Sequence, residues 1–140
     1  MQYYVNANTR KVYAGPTTLY VDPDHTLGGD STNTYSTFRD VANVLSGNII
    51  DTIITINFAN NYTETGVSYL TGILFNGLNV NCGLIINGNG ATLTSTSGGV
   101  LVIRNCIGGI LEINNLNLIN TSTDYTSLLY VHGPVYIKLN

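Results

Sequence analysis

The sequence predicts an all-β fold in which short strands wind into a β-solenoid of about four stacked coils. Only 9% of the 140 residues are charged and 44% are hydrophobic, so the polarity comes from Asn, Thr, Ser, Gly and Tyr. That composition favours strands and turns. No segment after residue 52 has the apolar spacing of a helix. Similar apolar segments return about every 27 residues, a period typical of one coil.

Two columns of similar segments carry this repeat. The first column contains triplets that begin at positions 73, 100 and 128: Ile73-Leu74-Phe75, Val100-Leu101-Val102 and Leu128-Leu129-Tyr130. The second column contains segments that begin at positions 55, 85, 112 and 136: Thr55-Ile56-Asn57, Ile85-Ile86-Asn87, Glu112-Ile113-Asn114 and Tyr136-Ile137-Lys138. If each repeat is one coil, the members of a column lie above one another. Tyr130, inside an apolar column, is then predicted to belong to the core.

Gly and Asn fall where a coil must turn a corner, at residues 87–90, 105, 108–109 and 114–115. Between corners the side chains alternate, with Ile54, Ile56 and Phe58 on one face and Glu112 pointing outward. A sandwich of hairpins remains an alternative, because Asn-Gly and Gly-Gly pairs also form hairpin turns. A sandwich would place the strands antiparallel and does not explain the recurrence.

The elements before the coils are of a different kind. Residues 1–18 predict a leader with short strands at 3–5 and 11–13, and residues 19–51 predict an extended strand, a loop and one α-helix. The coils follow at residues 52–140.

The helix is marked by an N-cap at Ser36 and a stop at Gly47. Its apolar stripe is Phe38, Val41, Ala42 and Leu45. Because a solenoid leaves an apolar cross-section at its end, we expect this helix to cap the first coil.

Charge and hydropathy exclude several function classes. A net charge of −3 with five scattered Lys and Arg residues gives no basic surface for nucleic acid. No apolar run approaches the roughly 20 residues of a membrane span, and residues 1–15 lack the apolar stretch of a secretory signal. We therefore expect no nucleic-acid or membrane partner, and synthesis in a cytoplasm. Cys82 and Cys106 are predicted to be buried thiols, with a disulfide or metal pair as the alternative.

The segment that precedes the coils resembles a known class. Leu19-Tyr20-Val21-Asp22, the loop Gly28-Gly29-Asp30-Ser31, and the helix with Phe38, followed by coils containing Ile-Asn-Gly-Asn-Gly, are similar to the start of right-handed parallel β-helix proteins of the pectin-lyase-like class. With its short polar leader, the chain looks most like phage tailspikes, tail fibres and related virion appendages. This resemblance implies a right-handed helix, a homotrimer, and docking to other virion proteins through the N-terminal segment. It also implies localisation in a virion made in the host cytoplasm, and host attachment, with a host surface glycan as a further partner.

No catalytic residue is predicted. Glycoside hydrolysis needs paired carboxylates, and elimination from uronates needs a base with Ca²⁺. The carboxylates available on the coils are Glu64, Glu112 and Asp124, and Glu112 has no acidic partner in its column. Arg104 and His132 lie one repeat apart and are predicted to form an exposed polar pair on neighbouring coils.

The loop after the first extended strand crowds Asp22, Asp24 and Asp30 beside His25. Carboxylates in this number can bind Ca²⁺, but their spacing matches no calcium loop and Asx-turns explain them. We predict no metal ion and no cofactor.

The chain has ten tyrosines and no tryptophan. Exposed tyrosine suits protein interfaces, so Tyr3, Tyr4 and Tyr13 of the leader are predicted to contact a partner. Residues 133–140 end on a strand whose open edge must be covered by further chain or by a partner.

The sequence therefore favours a structural virion component, such as a tail fibre, tailspike or decoration protein, docked through its N-terminal segment. The alternative is a truncated carbohydrate-active β-helix, either a polysaccharide depolymerase or a glycan-binding module. A bacterial surface adhesin is disfavoured by the missing export signal.

Overall fold

The structure is a computed structural model that describes residues 11–65, 69–70, 74–75, 82–96, 100–103, 109–123, 127–131 and 136–140. Its elements, in chain order, are β1 (Thr18–Val21), β2 (Thr34–Tyr35), α1 (Phe38–Leu45), β3 (Ile49–Ile50), β4 (Ile53–Phe58), β5 (Thr63–Thr65), β6 (Tyr69–Leu70), β7 (Leu74–Phe75), β8 (Gly83–Asn87), β9 (Thr92–Ser95), β10 (Leu101–Ile103), β11 (Ile110–Asn114), β12 (Asn117–Asn120), β13 (Leu129–Val131) and β14 (Tyr136–Leu139). The prediction of an all-β fold with one short helix is confirmed.

The strands form parallel sheets in which neighbours come from successive repeats. One sheet has six strands in the order β14-β11-β8-β4-β1-β2, and the others have the orders β13-β10-β6, β12-β9-β5 and β3-β7. Every strand pair among the described residues is parallel. The sandwich of antiparallel hairpins is therefore wrong.

The second sequence column is confirmed over its first three members. Thr55 pairs with Ile85, and Ile85 pairs with Glu112. The fourth member is wrong by two residues, because Glu112 pairs with Lys138 and not with Tyr136. A shift of two preserves which side chains face inward, so the periodicity of strands alone could not fix this register.

The first column is confirmed in its last step and wrong in its first. Leu101 pairs with Leu129 of the next repeat. However, β10 pairs on its other side with β6, and β7 pairs with β3. The strands β6 and β7 therefore lie in different sheets. The triplet at 73–75, which includes β7 and resembles β10 in sequence, is not the neighbour of β10.

The core lies between the sheets and is formed by the inward side chains. In the six-stranded sheet, Ile54, Leu84 and Leu111 share one register position, and each is fully buried. Ile56 and Phe58 are also fully buried, as their alternation predicts. Cys82 is buried as predicted, and Cys106 lies outside the described residues. Tyr130 is 42% exposed, so its predicted place in the core is wrong; its neighbour Leu129 packs against the core instead.

Helix α1 closes one side of this core. All four residues of the predicted stripe are buried, and the helix contacts β1, β2 and β6. Its N-cap is Thr37, whose side chain accepts the N–H of Asp40, so the prediction of Ser36 is wrong by one residue. Gly47 follows the helix with φ +80°, which agrees with its predicted role as the stop.

The corners after three strands of the six-stranded sheet each contain an asparagine in the left-handed region. Asn61 follows β4, Asn89 follows β8 and Asn115 follows β11, with φ of 58°, 52° and 46°. Asn tolerates this conformation because its short polar side chain can bond nearby backbone. The Asn89 amide donates to the carbonyl oxygen of Phe58 at 2.8 Å, which ties its corner to the preceding coil.

Candidate functional site

The acidic loop after β1 is held together by its own carboxylates. Asp22 is fully buried. One of its oxygens accepts the backbone N–H of Thr26 at 2.9 Å and the Thr26 hydroxyl at 3.0 Å, and the other accepts the N–H of Leu27 at 2.8 Å. Burial alone would raise the pKa of this carboxyl, but the hydrogen bonds from Leu27 and Thr26 outweigh it, so the pKa is lowered.

The other loop acids show no geometry for a metal ion. Asp30 accepts the hydroxyl and the backbone N–H of Thr32, while Asp24 is exposed. His25 has φ 54° and donates its N–H to the carbonyl oxygen of Asp22, as a turn residue does. Within the described ranges, no group of three or more His, Cys, Asp or Glu side chains is arranged to hold a metal ion.

Glu64 of β5 caps the helix from another part of the chain. Its side chain is 9% exposed. One carboxylate oxygen accepts the N–H of Phe38 at 2.8 Å and the hydroxyl of Tyr62 at 2.8 Å, and the other accepts the N–H of Arg39 at 3.4 Å. A carboxylate at a helix N-terminus satisfies otherwise unpaired amides and interacts favourably with the helix dipole. Glu64 therefore fastens the helix to the first coil.

Tyr62 takes part in the same contact. Its hydroxyl also accepts the N–H of Phe38 at 3.3 Å, and its ring lies 5.5 Å from that of Phe58. Burial, and then the hydrogen bond to the Glu64 carboxylate, raise the pKa of Tyr62.

Glu112 and Glu64 lie in different sheets, and their side chains point to opposite sides: Glu112 outward and Glu64 toward the core. Glu112 forms an ion pair with Lys138 of β14 at 3.3 Å. The two carboxylates therefore cannot flank one substrate. Asp124, Arg104 and His132 lie outside the described residues.

Of the three leader tyrosines, Tyr3 and Tyr4 lie outside the described residues. Tyr13 is half-buried against the core and donates its hydroxyl to the carbonyl oxygen of Pro16 at 2.9 Å. Burial is the main cause that raises its pKa. The neighbouring Val12 pairs in parallel with Ile49, so residue 12 is attached to the fold beside β3.

Four asparagines form a continuous ladder on the outer face of the six-stranded sheet. In this asparagine ladder, the amide of Asn87 donates to Asn57 at 2.9 Å, Asn114 donates to Asn87 at 2.9 Å, and Asn140 donates to Asn114 at 2.6 Å. Each residue follows an inward aliphatic side chain, at or within one residue of the end of its strand. The sequence contained a signal for the ladder, since Asn ends three of the four segments in the second column. The contact of Glu64 with the helix had no such signal, because the partners are 26 residues apart in unrelated elements.

The end of the sheet stack at β14 exposes apolar side chains that are buried elsewhere. Ile137 pairs with Leu111 and Leu139 pairs with Ile113. Leu111 and Ile113 are 0% and 5% exposed, whereas Ile137 and Leu139 are 42% and 63% exposed. We call this region the end surface. It includes a concavity of about 400 Å³, which is lined by Ile113, Leu116, Leu118, Leu128, Leu129 and Leu139.

The end surface is also a sheet edge. Within the described residues, β14 has a neighbour on one side, β11. Tyr136 and Asn140 donate their N–H groups to the carbonyl oxygens of Gly109 and Ile113 on that side. In a parallel sheet alternate residues bond to opposite sides, so the backbone groups of Ile137 and Leu139 are directed away from β11. The end surface therefore offers both apolar area and backbone donors and acceptors to a further strand.

No protein-family model, no curated protein and no solved structure matches this chain. Among the described residues, no helix is long and apolar enough to cross a membrane.

Proposed function

We propose that this chain is a structural component of a viral particle, of the tail fibre, tailspike or decoration kind, and that it acts by assembly and not by catalysis. The observation that carries this proposal is the end surface, where Ile137 and Leu139 occupy core register positions and are still 42% and 63% exposed. Exposed apolar area of this kind is typical of a surface that further protein covers.

The architecture proposed is a right-handed parallel β-helix. Its support is the parallel pairing of β4, β8, β11 and β14, in which each strand pairs with the strand one repeat further along the chain. A connection between parallel strands of one sheet is right-handed in about 98% of cases. The resemblance of residues 19 to about 120 to the start of pectin-lyase-like proteins points the same way.

The described carboxylates support assembly over hydrolysis. Glu64 is committed to the helix N-terminus, Glu112 to Lys138, and Asp22 to its own turn. A glycosidase needs two carboxyl groups about 5 to 10 Å apart on one accessible face. Each of these three is held by structural contacts.

In this proposal the protein forms a homotrimer, and its N-terminal segment, with Tyr3, Tyr4 and Tyr13, docks it to other virion proteins. The low charge is consistent with this role, since a surface with 13 charged residues, counted as five basic and eight acidic, is poorly protected from association.

The second candidate is a truncated carbohydrate-active β-helix, either a polysaccharide depolymerase or a glycan-binding module. The feature that favours it is the outer face of the six-stranded sheet, which carries the uncharged amides of the asparagine ladder. Tyr20 is the strand partner of Asn57, so its ring position continues the same row. Amides and an aromatic ring are suited to sugar hydroxyls and ring faces.

The test is the mass of the isolated chain in solution, measured by light scattering over a range of concentrations. Assembly predicts a multiple of 15.1 kDa. A monomer at every concentration would overturn the proposal, and saturable binding of an oligosaccharide by that monomer would favour glycan binding instead.

A further inference from the structure

The strands that lead to the end surface indicate which kind of strand would continue the sheet there. The strands of the six-stranded sheet that lead to it share a five-residue pattern: an outward residue, an inward aliphatic residue, another outward residue, another inward aliphatic residue, and an outward Asn. The four segments are 53–57 (IITIN), 83–87 (GLIIN), 110–114 (ILEIN) and 136–140 (YIKLN). A fifth strand that continued the stack would have the same pattern.

The leader contains a variant of this pattern, with an aromatic residue at the first inward position. Residues 2–6 read QYYVN, which places Tyr3 and Val5 at the inward positions, Tyr4 at the central outward position and Asn6 at the position of the ladder. Tyr and Val are also strong strand formers. The same spacing occurs at residues 72–76 and 77–81. The first of these includes β7, which is already paired with β3. The second lies outside the described residues, between β7 and β8 in the sequence. The leader segment precedes all the described strands and is joined to them through residue 11.

We propose that residues 2–6 of one molecule add to β14 of a second copy as a parallel strand. Tyr3 and Val5 would then cover Ile137 and Leu139, and the backbone of the added strand would pair with the open side of β14. Asn6 would donate its amide to Asn140 and extend the asparagine ladder by one residue. This inference rests on the proposed assembly function and deepens it, because it assigns the leader a second copy of this chain as its partner in place of a different virion protein.

The contact continues an interface that the fold already contains. Each junction between β4, β8, β11 and β14 combines inward aliphatic contact, parallel backbone pairing and one Asn–Asn hydrogen bond. The proposed junction supplies the same three components. Because the two surfaces are different, the contact is heterologous and joins molecules head to tail along the axis of the stack. A trimer formed through the sides of the stack uses other surfaces and is independent of it.

The inference is tested by binding of a fluorescent peptide of residues 1–10 to the full chain as receptor. The receptor carries Val5→Asp, because a charge at this inward position prevents its own leader from competing with the peptide. Fluorescence anisotropy should show saturable binding. Binding should fall at least about 10-fold when the receptor also carries Leu139→Asp or, as a second variant, Ile137→Asp, because a charge would be buried against the strand. Both receptor positions are exposed in the structure, so the fold should survive, and circular dichroism checks this.

The orientation of the side chains gives the matched control. A peptide with Val5→Asp should lose binding, whereas a peptide with Tyr4→Asp, changed at an outward position, should keep it. A peptide with Asn6→Leu should bind roughly 3- to 10-fold more weakly, the effect of one hydrogen bond.

Absence of binding, or equal binding of the Val5→Asp and Tyr4→Asp peptides, would overturn the inference. If wild-type protein is oligomeric in light scattering while the peptide does not bind, the inference fails and the proposed assembly function stands. If the wild-type protein is monomeric at all concentrations and the peptide does not bind, both fail.

Discussion

The capping of helix α1 by Glu64 gives the sharpest prediction about stability. Substituting Glu64→Gln keeps the size of the side chain and removes its charge. The two shortest hydrogen bonds, from the N–H of Phe38 and the hydroxyl of Tyr62, both at 2.8 Å, then change from charged to neutral bonds. That change costs about 1 kcal/mol for each bond, and the lost interaction with the helix dipole costs a further 0.3–1 kcal/mol or so. We expect Glu64→Gln to lower the free energy of unfolding by about 2–3 kcal/mol.

The assay is urea unfolding followed by circular dichroism, with the midpoint compared at constant slope. Glu112→Gln is the matched control. It removes the same charge from an outward carboxylate whose partner Lys138 is half exposed, and exposed ion pairs contribute about 0–1 kcal/mol.

A double-mutant cycle of Glu64→Gln with Tyr62→Phe should give a coupling energy of about 0.5–3 kcal/mol, because the two side chains share a hydrogen bond. If Glu64→Gln is no more destabilising than Glu112→Gln, the capping contact does not hold the helix and the reasoning is refuted.

Three further predictions test the stacked strands and the buried tyrosine. Gly83→Ala should destabilise by about 3 kcal/mol or more in urea unfolding, because its φ is +152° and a Cβ there would also overlap the facing backbone of β11. Gly90→Ala, at φ +81° with open space around the added Cβ, should cost about 1–2 kcal/mol; equal losses would contradict the close approach. Asn87→Ala removes two ladder hydrogen bonds and Asn57→Ala removes one, so the first should cost about 1–3 kcal/mol and roughly twice the second; equal midpoints would argue against a ladder. Because the folded state raises the pKa of Tyr62 above its usual value of 10.0, the stability it contributes is complete below about pH 10 and falls as the pH rises above that value. Tyr62→Phe should therefore flatten the fall in urea midpoint from about pH 10 to about pH 12; an unchanged slope would assign the alkaline loss to other groups.

Much of the local structure could be predicted from the sequence. Alternation of side chains identified Ile54, Ile56 and Phe58 as core, and the helical spacing identified the buried stripe of α1. These features depend on periods of about 2.0 and 3.6 residues, which any stretch of chain displays by itself. The corners were also predictable, because few residue types tolerate the left-handed conformation that Asn89 and Asn115 adopt.

The pairing of distant strands was less predictable. The sequence placed residue 136 opposite Glu112 where the structure places Lys138, and it stacked the triplet at 73–75 on β10 where the structure places β6. The number of residues per coil varies, and two registers that differ by two residues bury the same face. The spacing of apolar residues in the sequence therefore does not distinguish one register from the other.

The sequence by itself determined that this chain is an all-β protein of short stacked segments with one capping helix, because composition and periodicity are local properties. Only the tertiary structure decided what the polar residues do. In the structure Glu64 caps the N-terminus of the helix, and four asparagines form one hydrogen-bonded ladder. Ile137 and Leu139 occupy core register positions and are exposed. Each of these outcomes depends on which strand lies next to which, and that is settled by packing between segments a full repeat apart in the chain.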